Sequence, residues 1–226
     1  MHVFAIQKTL VETIWFAVCG MLIIALSFMV LEPLTTQASV SNTFPITQLM
    51  TAEISFLATS TGVTMTGSIA GLTGGTATGS TFVVVQTNQS TGYTLDIAFS
   101  NSPAMRGNVT GNTAIVDYGT TSEPTFGFFA STSATFAYNV ANVPSSKLDQ
   151  SFKNDGVSCN AGGSYTANTC WMGPSTTPFK IVDSNAAAPS GATTTLQFKV
   201  NVPNNPSPGV VSDTYTATAT LTATTQ

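Results

Sequence analysis

Residues Thr13 to Leu31, TIWFAVCGMLIIALSFMVL, form an uninterrupted uncharged stretch of nineteen residues. At about 1.5 Å of rise per residue a helix of that length reaches roughly 28 Å, the thickness of a bilayer's hydrocarbon core. The stretch is apolar all round apart from Thr13 and Ser27, whereas a helix resting on a soluble domain keeps a polar stripe. Glu12 and Glu32 bracket it, and Lys8 is the only strong cation before it. That weak positive bias puts the N-terminus inside the cell and the rest of the chain outside. Two fates stay open: removal as a secretory signal after Thr36-Gln37-Ala38, or retention as an anchor or filament stalk. The length favours retention. Residues 1–38 are therefore set apart as a hydrophobic helix and linker, and residues 39–226 as one exported domain.

The exported region has the composition of a folded, weakly charged surface. Eight acidic and five basic side chains lie beyond residue 38, spread over a Thr- and Ser-rich background. Disordered chains of such polarity lack aromatic and β-branched residues, but here Phe, Tyr, Val and Ile recur at strand positions. Nucleic acid is excluded as a partner, since it needs clustered Lys and Arg to displace counterions.

The hydrophobic period beyond Leu31 is two rather than 3.6. In Thr214–Thr224, Tyr215, Ala217, Ala219, Leu221 and Ala223 share one face and threonines hold most of the other. Thr194–Val202 repeats the pattern, with Leu196, Phe198, Val200 and Val202 on the inward face. Tyr93–Phe99 alternates likewise, and Thr81–Thr87 reads as a strand buried on both faces, joined to it as a hairpin through NQSTG. Further strands are expected at Ala52–Ala58, Thr113–Tyr118, Thr125–Phe129, Thr135–Val140 and Phe179–Asp183, separated by Gly and Pro, with Gly71–Gly79 a mobile connection. The expected fold class is all-β: an antiparallel β-sandwich, immunoglobulin-like, preceded by one N-terminal hydrophobic α-helix, with a closed barrel as the alternative.

Residues 142–178 break the pattern. They hold Cys159 and Cys170, the only cysteines outside the hydrophobic stretch, around a Gly- and Asn-rich loop. In an exported chain such a pair reads as a disulfide, worth about 3 kcal/mol in the chain-entropy model. A metal site lacks partners, because the single histidine is His2. Trp171 reads either as a plug for the core edge beside the bridge or, with Tyr165, as a contact patch for a sugar or a neighbouring subunit. Asn88-Gln89-Ser90 and Asn108-Val109-Thr110 are candidate glycosylation triplets at Asn88 and Asn108.

Catalytic constellations are missing from the sequence. Without a histidine in the exported region there is no Ser-His-Asp triad and no Cys-His pair, and no serine stands three residues before a lysine. GLTGGTATG lacks the lysine of a phosphate loop. No enzyme activity, cofactor or metal is expected.

Thr9-Leu10-Val11-Glu12, leading into the apolar run, resembles the start of type IV pilins, with Gln7 and Lys8 where that family has glycine and phenylalanine. The resemblance implies helices bundled inside a filament, with Glu12 offsetting a neighbour's terminal ammonium. The series VTMTGSIAGLTGGTATGSTFVVVQTNQSTGYTLDI, then SPAM, the Cys-(x)10-Cys-Trp element and the final Tyr-x-Ala-x-Ala strand resemble surface proteins of candidate-phylum bacteria. That likeness implies a secreted β-sandwich and supplies no activity. The expectation is a structural cell-surface protein that self-associates into a filament or coat. Residues 33–50, with Phe44, Ile46 and Leu49, would add as an edge strand to a neighbour's sheet. The competing expectation is a membrane-anchored adhesin or carbohydrate-binding module acting through Tyr165 and Trp171.

Overall fold

The computed structural model describes residues 3–30, 41–109, 113–119, 122–129, 131–141, 143 and 147–226, with side chains in the helix described over 12–25. The cleavage motif at 36–38 and residues 33–40 of the expected linking segment lie outside that set. The chain divides into two units, Met1–Leu49 and Met50–Gln226, later than the 38/39 boundary read from the sequence. In the first unit, α1 runs over Val3–Val30. Among the described residues no helix is long and apolar enough to cross a membrane. Residues 41–49 carry no regular structure.

Among its described residues the second unit is strand, turn and irregular chain apart from one short 3-10 turn, Gln150–Phe152. Its strands are β1 (Ile54–Ala58), β2 (Gly75–Thr87), β3 (Tyr93–Phe99), β4 (Met105–Gly107), β5 (Ala114–Asp117), β6 (Thr125–Phe126) and β7 (Thr135–Ala141). They continue with β8 (Cys170–Trp171), β9 (Phe179–Ser184), β10 (Ala188–Val202), β11 (Tyr215–Thr216) and β12 (Ala219–Thr225). A seven-stranded sheet runs β1-β2-β10-β7-β5-β4-β11 and curls into a half-barrel. A three-stranded sheet runs β12-β3-β9, and β6 pairs with β8. Every strand pairing is antiparallel except β5 with β7. The all-β class and the N-terminal helix are thus present.

One buried cluster joins the two larger sheets. Val83 and Val85 of β2, Leu196 and Phe198 of β10, and Tyr138 of β7 belong to it together with Leu95 and Ile97 of β3. The alternation read from the sequence produces this directly, because successive side chains leave opposite faces of a strand.

Three strand readings are corrected. First, β2 and β3 form no hairpin: β2 pairs with β1 and β10, whereas β3 pairs with β12 and β9. Both strands are richest in apolar residues on the face that enters the shared core, so the turn between them carries the chain from one sheet to the other. Gly92 makes that crossing, with φ +100°; a Cβ there would collide with the Ser184 carbonyl. Second, β2 begins at Gly75, inside what reads as a mobile glycine connection, because Gly75–Gly79 pairs with Phe198–Val202. Gly79 lets Val63 and Met65 lie against the strand where any side chain would meet them. Third, the single strand expected over Thr214–Thr224 is divided: β11 pairs with β4, while β12 pairs with β3.

The region 142–178, read as strandless, includes β8, and two of its residues enter the core. Leu148 and Phe152 are fully buried, and the Phe152 ring packs 6.2 Å from Tyr138 and 6.0 Å from Phe179. The Asp149 amide donates to the Ile181 carbonyl and the Asp183 amide to that of Lys147, so the segment covers the edge of β9. Lys180 bridges Asp149 and Asp183 at the surface.

Phe152→Ala should destabilise the fold by about 3–5 kcal/mol, the usual cost of emptying an aromatic core site. Chemical denaturation reads the loss; a change within experimental error would mean the loop is only draped over the core. The Lys180 pair carries a smaller, pH-dependent share. Its hydrogen bond with Asp183 raises the Lys180 pKa and lowers that of Asp183. The pair's contribution is therefore present between the two, lost in acid as pH falls through the depressed Asp183 value and lost in base as pH rises through the elevated Lys180 value. Both groups are about 40 % exposed, so screening holds the effect of Lys180→Met to about 1 kcal/mol or less in melts at neutral pH.

Candidate assembly surface

Among the described residues outside the helix, an exposed run of large apolar side chains lies at 44–50. Phe44 is 72 % exposed, Ile46 86 %, Leu49 82 % and Met50 79 %. In an extended strand Phe44, Ile46, Gln48 and Met50 would share one face and Pro45, Thr47 and Leu49 the other. No charge occurs between Glu32 and Glu53. The chain then enters β1 through Thr51 and Glu53, whose carbonyl and amide are both held by the Asn88 side-chain amide, at 2.9 and 2.7 Å.

The second unit contains a groove of about 600 Å³ between residues 60–65 and residues 214–221. Its floor includes Phe99, Phe136, Leu196 and Phe198, members of the main core cluster, and its lining has no charged residue. Residues 60–66 are held as a strap: Thr61 and Thr81 exchange two hydrogen bonds of 3.1 Å, and the Thr66 amide donates to the Thr78 carbonyl at 2.8 Å. On the other wall, Tyr215, Ala217, Leu221 and Ala223 are only half-buried and Ala219 is exposed. The face that alternation marks as inward is therefore not closed. Its alanines are too small to fill the space in front of the Phe198 and Phe136 rings. β12 pairs with β3 along one edge, and no described strand pairs with the other. A second cavity of about 620 Å³ continues past Met65, Met105 and Tyr215 towards Leu72 and Val210.

Trp171 follows directly on the disulfide at Cys170. It is only 4 % exposed, and it lies in a small cluster with Tyr118 and Ala137 that is separate from the main core. Phe128 stands edge-on to it at 5.5 Å and stacks on Tyr118 at 4.4 Å. The Lys199 ammonium lies 4.1 Å from the Phe128 ring centre and 5.3 Å from that of Trp171, and burial pushes its pKa down. The indole N–H donates to the Asn168 carbonyl at 2.9 Å. Trp171 and Tyr118 thus pack with Ala137 on the face of β7 turned away from the main core, which helps to bury β7 on both faces. Tyr165 is half-buried and donates its hydroxyl to the Val140 carbonyl at 2.8 Å. The sugar or subunit patch read at Tyr165 and Trp171 has no exposed indole face in this arrangement.

Cys159 and Cys170 form a disulfide. Asn88 and Asn108 are both exposed, but the Asn88 amide already clasps the β1 entry, and Thr110 of the second triplet lies outside the described residues. Glu12 is exposed on α1. Among the described residues no three His, Cys, Asp or Glu side chains are grouped so as to hold a metal. The groove and its strap were not read from the sequence. Gly79 facing Val63 and Met65, and the run of alanines on the inward face of the last strand, were the local signals for it.

No protein-family model matches the chain, and no curated protein is similar to it. These comparisons give no link to type IV pilins or to candidate-phylum surface proteins.

Trp171→Ala is expected to lower stability by about 3–5 kcal/mol by emptying a packed aromatic site, with a glycan array unchanged between variant and parent wherever the variant stays folded. Array binding present in the parent and lost in a folded Trp171→Ala protein would restore the carbohydrate reading.

Proposed function

We propose that this chain is a structural subunit of an extracellular assembly, a filament or surface coat, built from an immunoglobulin-like β-sandwich exported by its N-terminal hydrophobic segment. The observation that carries this reading is the segment 44–50, where four large apolar side chains stand in solvent on one uncharged stretch. Isolated exposed apolar residues are ordinary, but a contiguous run of them marks a contact with something else. Self-association supplies that contact without a second kind of molecule.

The low surface charge supports the same reading. A filament or coat packs many copies side by side, and a threonine-covered sheet face carries little charge to repel an identical neighbour. The hydrophobic stretch 13–31 acts in export, either cut after Ala38 or kept as a stalk beside Glu12. The adhesin alternative rested on Tyr165 and Trp171, and their engagement in internal contacts favours the structural reading.

The test is negative-stain imaging of the cell surface combined with mass analysis of the native N-terminus. Fibres or a lattice containing this chain are expected. Burying Phe44 and Ile46 is worth about 1.5–3 kcal/mol each, so Phe44→Asp with Ile46→Asp should weaken assembly by roughly a hundredfold or more. The variant should still be exported and folded. Recovery of the parent only as a monomer, with no polymer on the cell, would sink the proposal.

A further inference from the structure

We infer that the groove between the strap at 60–65 and the last strand is the acceptor for residues 44–50 of a second copy of this chain. This rests on the assembly reading above and adds to it the site at which one copy holds the next.

Both partners lack what the other supplies. The groove leaves the inward face of Tyr215, Ala217 and Leu221 half-covered, over a floor that includes Phe136, Leu196 and Phe198. The segment carries Phe44, Ile46 and Met50, all exposed, which an added strand would place on one face. Neither the groove lining nor residues 41–52 carry a charged side chain, so docking desolvates no ion. Lengths agree as well: seven residues of extended chain reach about 23 Å, and β12 is itself seven residues long.

The backbone fits the same geometry. β12 ends the three-stranded sheet and has one edge unmatched by any described strand. In an antiparallel pair, alternate residues turn their N–H and C=O groups to the same side. Phe44, Ile46 and Gln48 would thus turn theirs to β12, while Pro45, which has no N–H, falls on the opposite side. The added strand becomes a fourth member of the β12-β3-β9 sheet, and its apolar face closes the groove.

With the groove on another copy the contact is head to tail, which propagates into a filament or closes into a ring.

The experiment uses the full chain with Cys19→Ser, so that no unpaired native thiol interferes. Thr47→Cys is placed on one population, and Thr218→Cys, Thr220→Cys or Thr222→Cys on another. Thr220 and Thr222 are exposed on alternate positions of β12, and the exposed Thr218 immediately precedes it. Neighbouring strands hold paired Cα atoms about 4.5–5.5 Å apart, within disulfide range. Mixing the populations under mild oxidation should give a covalent dimer with at least one of the three positions, reversed by reductant, and none with Ser80→Cys on the outer face of β2. Thr218→Arg, at an exposed position on the groove wall, should reduce the yield at the other positions at least tenfold while leaving the melting temperature near that of the parent. Polymers that persist without any such cross-link would overturn the groove assignment and leave the assembly reading standing. Absence of both polymer and cross-link would overturn the two together. With both cysteines on one chain, a cross-linked monomer whose yield is independent of dilution would replace the second copy with the chain's own segment and overturn the inference.

Discussion

The pairing of β2 with β10 is the contact on which the rest of the second unit depends. It aligns Gly75–Thr87 with Ala188–Val202 and so joins segments more than a hundred residues apart in the chain. β1 is held on one side of this ladder and β7 on the other, and the inner residues of both strands form the floor beneath β3. Closing so long a loop costs entropy that local turns cannot repay, so the ladder forms only together with the buried face it presents. The irregularity between Ala188 and Ala192 belongs to the same interaction. Gly191, at φ +87°, lets β10 pass Val84 and Leu57, where a side chain would strike both.

Alternation was the part of this fold most legible in the sequence. Leu95 and Ile97, like Leu196 and Phe198, are buried because they repeat at a period of two, and that period survives any choice of neighbour. Which strand pairs with which was not legible. β2 and β3 look like a hairpin over a short Gly-containing link, but each must bury the same kind of face, and that requirement sends them into different sheets. Gly79 was read as part of a flexible run for a related reason. Its function is to admit Val63 and Met65, and a contact made across the fold leaves no local pattern.

The aromatic side chains show the same division. Trp171 beside Cys170 was noticeable in sequence, but its partners Tyr118, Phe128 and Lys199 come from elements scattered along the chain. Their assembly beside Ala137 on the outer face of β7 helps to bury that face, which also carries Thr135 and Asn139. Phe152 was passed over because its surroundings are polar and turn-like. It reaches the core because the 3-10 turn that carries it is fixed by Asp149, whose carboxylate accepts from the Ser151 amide.

An uncovered inward face is a cost that a finished monomer ordinarily removes. A leucine or isoleucine in place of Ala217, Ala219 or Ala223 would fill part of the space with no change of backbone, since all three sit in extended chain. The same strand carries threonine on its outward face, where a small hydroxylated side chain suits a position wet on one side. The alanines therefore preserve a space that larger residues would occupy, and the space borders an unmatched strand edge. Exposed edges invite uncontrolled pairing unless a specific strand claims them. A segment with apolar residues on one face and a proline on the far edge meets that requirement on one side only, so that its addition ends the sheet as it completes the core.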